Sequence, residues 1–411
     1  MKRGLCALAA VLLLGLCAPG AAQADLTVYV SAEAMPLETA RQLAALLERE
    51  AAPAEVELIA EQETDDTLRA LVLRDEAPLL AICPPEEARL YAKEGMLAVP
   101  DVPDGARMAQ QVLSACEQDG ELFMIPLLAH HRQMAVNRRR LEQEHLSDLL
   151  DARTHPVWYP LELQQALEAL YDGDTPAMEL WPPEPDTCAG LEALVQALFG
   201  GAFLSEDGQV CQADCGSAAA ALEWLRDMLE GGQIGWAQSR EEALEHFLAG
   251  ETAVFIDWMD ADERASRARI RESGLELCTL PYPSSTGMPV HSFEVIGAVV
   301  LLTGDAQTDA LAKAAAAFLA QDAQVQQILG ERGIEEDGAV WLPAVGAHPQ
   351  GTLLSTLLCD ALRGTLMEGR SAASALRGVT QALDAARSPL KAARSEEGSL
   401  RGLEPSAPCG R

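Results

Sequence analysis

The segment Ala129-His130-His131-Arg132 sets two imidazoles and a guanidinium side by side. Together they offer donors to sugar hydroxyls or to an anionic group. A metal role for His130 and His131 is not expected, because adjacent residues on a strand point to opposite faces. His291-Ser292-Phe293-Glu294 places a carboxylate before a β-rich run, where Glu294 can accept bonds from hydroxyls or pair with an ammonium. Trp258 follows a strand-like run; exposed, its indole would stack on the apolar face of a sugar or cage a cation, and buried it would only pack. Trp341, in the run DGAVWLPAVG, is read first as core and second as a wall of the same site. Trp158-Tyr159 and Trp181 lie in Pro-rich loops, whereas Trp224 sits at helical spacing and is expected in the core. Ser31 and Cys83 fall at the ends of strand-like runs.

None of these groups forms a recognisable catalytic set. The chain contains no G-x-S-x-G elbow, no H-E-x-x-H pair and no phosphate-cradling G-x-x-x-x-G-K. With 63 acids, a glycosidase-like carboxylate pair is not excluded by counting, so a secreted hydrolase stays as an alternative. Thirty basic residues against those acids give a net charge of −33, which disfavours nucleic acid or anionic lipid as the main partner. Hydrophobic residues at 49 % supply a sizeable core, so global disorder is not expected.

Residues 1–24 carry Lys2 and Arg3, an apolar run from Leu5 to Ala18, and Ala22-Gln23-Ala24. That is the three-part pattern of a secretory signal, and the run is short of the roughly 20 residues a spanning helix needs. A lipid anchor at Cys17 is a weaker alternative, because Leu16 stands where a small residue is normal. The cysteines outside the leader are Cys83, Cys116, Cys188, Cys211, Cys215, Cys278, Cys359 and Cys409. Their even number permits disulfides outside the cell, in a pattern that sequence leaves open. Cys211 and Cys215 are close enough for a local bridge, and no His nearby completes a metal site.

The elements that must position these residues alternate. LTVYVS (26–31), VELIA (56–60) and APLLAICPP (77–85) read as strands, with helices opened by Pro36 and spanning 86–95 between or after them. This is an α/β pattern with a largely parallel sheet, in which ligands sit outside the C-terminal strand ends. LFMIP reads as a strand closed by Pro126, followed by a second at about 132–137. Residues 161–250 are mainly helical, with strands at 251–258, 275–283 and 293–302 and an Ala-rich helix at 306–321. Residues 391–411, rich in Ser, Gly, Glu and Arg, are expected to be a mobile tail.

Five segments in order resemble the extracellular solute-binding proteins of ABC importers, in particular the sugar-binding group. They are YAKEGMLAVPDV (91–102), DGELFMIPLLAHHRQMAVNRRRL (119–141), FGGAFLSEDGQ with AAAALEWLRDMLEGGQIG (199–235), AQSREEALEHFLAGETAVFIDW (237–258), and LPYPSSTGMPV with the strand–helix unit to 320. Val136 replaces the family's Tyr before Asn137. Asp260 aligns where the sugar binders often carry a Trp, with Trp258 two residues earlier.

The resemblance implies a two-lobed periplasmic-binding-protein-like fold of type II, with a ligand cleft between lobes that close by hinge motion. Lobe one would comprise 25–117 plus 262–305, and lobe two 118–261 plus 306–390. Ligand contacts are expected from Ser31, Cys83, His130, His131, Arg132, Trp258, Asp260, Ser292, Phe293, Glu294 and Trp341. The implied partners are a small polar solute, carbohydrate first, and a membrane permease of the ABC type. A polyamine, another organic cation or a peptide comes next, since aromatics are only 4 % and pyranose sites usually stack on rings. No cofactor, metal or nucleic acid is expected, and the protein should be a monomer. A sensory module on the same fold is the remaining alternative.

Overall fold

The computed structural model describes residues 26–400, apart from 33, 52–54, 65, 100–109, 119, 152, 186, 206–209, 330–339, 343–344, 346–347 and 349. The signal-like leader, Cys17 and Cys409 lie outside the described residues. For Asp260 and Trp341 the backbone alone is described.

Strands β1 (Leu26–Val30), β2 (Val56–Ala60) and β3 (Leu80–Cys83) run parallel, with β1 in the middle. Helix α1 (Leu37–Leu46) makes the first crossover, with Pro36 at its N-cap and Ala40, Leu43 and Leu46 buried. Helices α2 (Leu68–Leu73) and α3 (Pro85–Lys93) follow β2 and β3, and Pro85 opens α3. After α4 (Gln110–Ala115), a short hairpin pairs β4 (Glu117–Gln118) with β5 (Glu121–Leu122).

β6 (Ile125–Asn137) is one continuous strand of 13 residues, so Pro126 does not close a strand as expected. The register shifts beside Pro126, between Ile296 and Gly297 of the partner strand. Such a bulge accommodates a residue that has no N–H to donate. Gly297 is required there, because a Cβ would lie 2.3 Å from Met124 Cγ and 2.9 Å from the Ile125 carbonyl oxygen.

Beyond β6 come α5 (Arg138–Gln143), α6 (Pro160–Leu170), β7 (Met178–Leu180), α7 (Ala189–Leu198), α8 (Gly216–Glu230), β8 (Ile234–Trp236), α9 (Arg240–Ala249), β9 (Val254–Met259), α10 (Asp260–Ser273) and β10 (Leu277–Leu280). The chain continues through β11 (Val290–Val300), α11 (Ala306–Gln321), α12 (Ala323–Leu329), β12 (Val340–Leu342), α13 (Gly351–Leu366) and α14 (Ala372–Leu400). Helix α14 thus extends into the stretch expected to be a mobile tail. No helix among the described residues is long and apolar enough to cross a membrane.

One ten-stranded sheet runs through the molecule in the order β2-β1-β3-β11-β6-β9-β7-β8, with β10 beside β6 and β12 beside β11. Two cores flank its first half. Val28, Leu80, Ile82, Leu127 and Ile296 lie in one, and Tyr29, Ala81, Cys83, Phe293 and Val299 in the other. A separate core fills the second half, from Met134 and Val136 through Trp158, Leu194, Phe255 and Trp258 to Leu362 and Leu383.

The long antiparallel pair β6/β11 belongs to both halves. The chain therefore crosses within these strands, at about 130–133 and 290–293, and again between Leu329 and Leu342, and not near 117, 262 and 305 as expected. α11 and α12 add Ala312, Ala315, Leu319, Val325 and Leu329 to the first half, which corrects their assignment to the second. The physical reason is that the Ala face of α11 packs against β11 and β6, a choice that its own sequence does not reveal.

Candidate functional site

Strand direction locates the site. β3 is antiparallel to β11, with Cys83 opposite Gly297, so β11 residues 290–296 extend past the C-terminal ends of β1, β2 and β3. β9 is antiparallel to β6 and brings Met259 opposite Arg132, while β7 and β8 run parallel to β9. The C-terminal strand ends of both halves therefore point at the same crossing region. This is where open α/β sheets take their ligands.

The first-half wall is built from the ends of β1 and β2 and the first turn of α3. Ser31 Oγ lies 2.5 Å from Glu87 Oε1 and 3.2 Å from Glu61 Oε2. The Tyr29 hydroxyl lies 3.2 Å from Glu61 and 3.4 Å from Glu87. The Ala32 N–H donates to Glu61 at 2.8 Å and fixes that carboxylate. Burial, then Glu87 and Glu61, drives the Tyr29 phenol well above its ordinary value, so it stays a neutral donor. Tyr29 and Ser31 are buried behind these carboxylates, so the wall presents the half-buried Glu61 and Glu87, which accept hydrogen bonds from hydroxyl or ammonium groups.

At the crossing, Asp257 is 1 % exposed and is held by two arginines. Arg132 Nη1 donates to its Oδ1 at 2.8 Å, and Arg240, the first residue of α9, bonds both its Oδ2 and its backbone carbonyl. Arg132 also reaches Glu294 on β11 at 2.8 Å, so one guanidinium ties β6, β9 and β11 together. Burial works against the Arg132 charge, but Asp257 and Glu294 outweigh it and hold it protonated. Gly190 of α7 backs the arrangement: a Cβ there would stand 2.6 Å from Asp257 Cβ, so only glycine lets the helix approach. Beneath it Glu192 is pushed up to about 7 by burial, with the Cys188 thiol and Arg132 pulling the other way.

Ser31 is 1 % exposed and stands behind the first wall, bonded to its carboxylates, and Arg132 and Glu294 form the floor network. His130 stands opposite Glu294 in the β6/β11 ladder, and His131 opposite Phe293. The His131 and His291 rings lie 5.9 Å apart and tilted. Ser292 is nearly buried, and Trp341 pairs with His291 through β12.

Three expected contacts are corrected. Trp258 is 2 % exposed, edge-on to Phe247 and Phe255 in the second-half core. Cys83 and Phe293 are buried in the first half, where their side chains fill the layer under α3. Burial pushes the Cys83 thiol up, which makes it a small apolar filler. Trp158 and Trp181 are buried too, their indole N–H groups donating to the carbonyls of Leu149 and Thr187. The side chains of Asp260 and Trp341 lie outside the described residues.

Sequence reasoning missed Tyr29, Glu87, Arg240 and Asp257. Asp257 had a readable signal: it is a lone charge inside the apolar run VFIDW, and charged residues are almost never fully buried unless paired. A cavity of about 650 Å³ lies elsewhere, lined by Arg267, Arg271, Leu275 and Leu277 beside the Asn137 end of β6.

No family model matches the sequence, and no curated protein sequence matches it. Solved structures do match in fold. An ABC substrate-binding protein of Listeria monocytogenes in complex with cycloalternan has a TM-score of 0.69 at 14 % identity, over 89 % of this chain and 99 % of that one. The GacH receptor of Streptomyces glaucescens, solved unliganded and with acarbose, has a TM-score of 0.68 at 17 % identity, over 88 % and 98 %. The sugar-binding protein MalE from Xanthomonas citri has 0.68 at 15 % identity, over 93 % and 100 %. The chain has the fold of these substrate-binding proteins, α/β and two-lobed, and it spans nearly their whole length.

Proposed function

We propose that this protein is an extracytoplasmic solute-binding protein that captures a carbohydrate between its two halves and delivers it to an ABC permease, with no chemistry of its own. The observation that carries the reading is the convergence of both sets of C-terminal strand ends on a polar crossing region, with Glu61 and Glu87, backed by the buried Tyr29 and Ser31, on one side and Arg132, Arg240 and Glu294 at the floor. Carboxylates and guanidiniums are partners that sugar hydroxyls need. Solved proteins of this fold bound to cycloalternan and acarbose support carbohydrate as the class. Export through the leader at 1–24, a monomeric state and hinge closure on the ligand complete the proposal. Closure follows only if the solute binds the closed form more tightly than the open one.

The first-wall carboxylates favour one further reading, an organic cation such as a polyamine. A thermal-shift screen of gluco-oligosaccharides against polyamines separates the two. A ligand at 100 times its dissociation constant adds about 2.7 kcal/mol of stability. A shift with oligosaccharides alone supports the first reading, a shift with polyamines alone replaces it, and no shift with either removes both. Glu61→Gln with Glu87→Gln sharpens the result, since a cation should lose far more affinity than a neutral sugar.

A further inference from the structure

Cys188 and Cys359 are 171 positions apart, yet their sulfurs lie 2.8 Å from one another. Cys188 caps the start of α7 and Cys359 lies within α13, and the two residues are 1 % and 2 % exposed. Glu192 Oε1 sits 3.1 Å from the Cys188 sulfur, completing a buried trio. We propose that Cys188 and Cys359 form a structural disulfide that fastens α13 to α7 beneath the ligand site.

The alternative is a metal held by the same three side chains, and the geometry disfavours it. Two thiolates at about 2.3 Å from a tetrahedral zinc stand roughly 3.8 Å apart, well beyond the observed separation. The trio also gains no fourth His, Cys or carboxylate among the described residues, and all three members are buried. A disulfide needs only a small further approach of sulfurs that already face one another. The proposal draws on the export reading, because disulfides persist in oxidising compartments.

The step balances as thiol–disulfide exchange with an external disulfide, such as that of an exported oxidoreductase or oxidised glutathione. Cys188 loses its proton to solvent, its thiolate attacks the external disulfide, and the first external thiolate leaves and takes a proton back. Cys359 then attacks the Cys188 sulfur and expels the second thiol. Two protein thiols are oxidised, one external disulfide is reduced, and the two protons end on the departing thiols. Exchange precedes the docking of α13 on α7, since the folded pair is sealed from solvent. A pair that docks while reduced is trapped, because the contact with Cys359 together with burial drives the Cys188 thiol far up and leaves it inert as a nucleophile.

The bridge bears on the site because α7 carries both Cys188 and Gly190, which lies against Asp257. Fastening α7 to α13 therefore fixes the backing of the Arg132–Asp257–Arg240 network.

The test uses the mature chain, refolded with reduced and oxidised glutathione. Remaining thiols are alkylated in denaturant before digestion and mass analysis. The expected product is the Cys188 peptide joined to the Cys359 peptide, two hydrogens lighter than their sum. Alkylation of both residues, a bridge from either one to another cysteine, or free thiols accompanied by stoichiometric zinc overturns the proposal. Cys188→Ser, Cys359→Ser and the double variant should each melt several degrees below the oxidised protein, by equal amounts, with no further loss when refolded in reductant. Unequal losses, or an oxidised protein that melts no higher than the reduced one, also overturn it. Refolding in vitro needs no export, so this outcome is independent of where the protein works.

Discussion

Asp257→Asn is the sharpest perturbation of the floor network. The substitution keeps the side chain's shape and one carbonyl oxygen but removes the charge between Arg132 and Arg240. Both guanidiniums are only 12 % exposed, so water replaces little of what is lost. Breaking a buried pair by removing one partner costs about 3–5 kcal/mol. Arg132 keeps Glu294, and the Asn oxygen still accepts one bond, so the expected loss is nearer ~2–4 kcal/mol. Urea unfolding followed by fluorescence should show a lower midpoint with an unchanged slope. A cycle with Glu294→Gln tests the shared guanidinium: the double variant should be less stable than the two single losses predict, because Arg132 then has no carboxylate left. A loss under about 0.5 kcal/mol for Asp257→Asn, or strictly additive singles, would refute the idea that these charges stabilise the crossing as a unit.

Other expectations are independent of that one. Glu192 is raised from the ordinary carboxyl value of 4.5 to about 7 by burial, so the folded state holds its proton more tightly than the unfolded chain does. Its contribution is therefore fully present below about pH 4.5 and is lost as pH rises through 7. Between pH 4.5 and 8 the wild type should lose up to about 3 kcal/mol more than Glu192→Gln, read from urea midpoints; parallel profiles would contradict the assignment. Trp258→Ala should cost about 3–5 kcal/mol as a core truncation. It should leave the affinity of the folded protein for its best ligand nearly unchanged, and a large selective loss of binding would return the indole to the site.

The fold was legible where each element is set by local pattern. The β-branched run at 26–30, the VELIA strand, Pro36 at a helix start, the helix expected over 86–95 and the Ala-rich helix at 306–321 all appear where their residues suggest. The crossing was not legible, because it occurs inside β6 and β11 without a turn residue to mark it, and Pro126 suggested a stop where a bulge absorbs it. The placement of α11 failed for a related reason: an Ala face fits either core, and only the tertiary packing chooses.

Half of the floor was visible as Arg132 and Glu294, since charges flanking apolar runs stand out. The first wall gathers Tyr29, Ser31, Glu61 and Glu87 from two strand ends and a helix start, and no spacing in the chain connects them. Trp258 was misread because an indole at a strand's end looks the same whether it faces the core or the cleft. Two aromatic neighbours, Phe247 and Phe255, and its burial settle it in the core.

The central claim is that a guest enters between two halves that then close. Small-angle scattering of the mature protein, with and without the best ligand of the thermal screen at saturation, tests it most directly. A compact chain of this length has a radius of gyration of about 21 Å. The account predicts that this value falls on adding ligand and stays constant with a non-binding solute. An unchanged radius while calorimetry shows the site filled would contradict it.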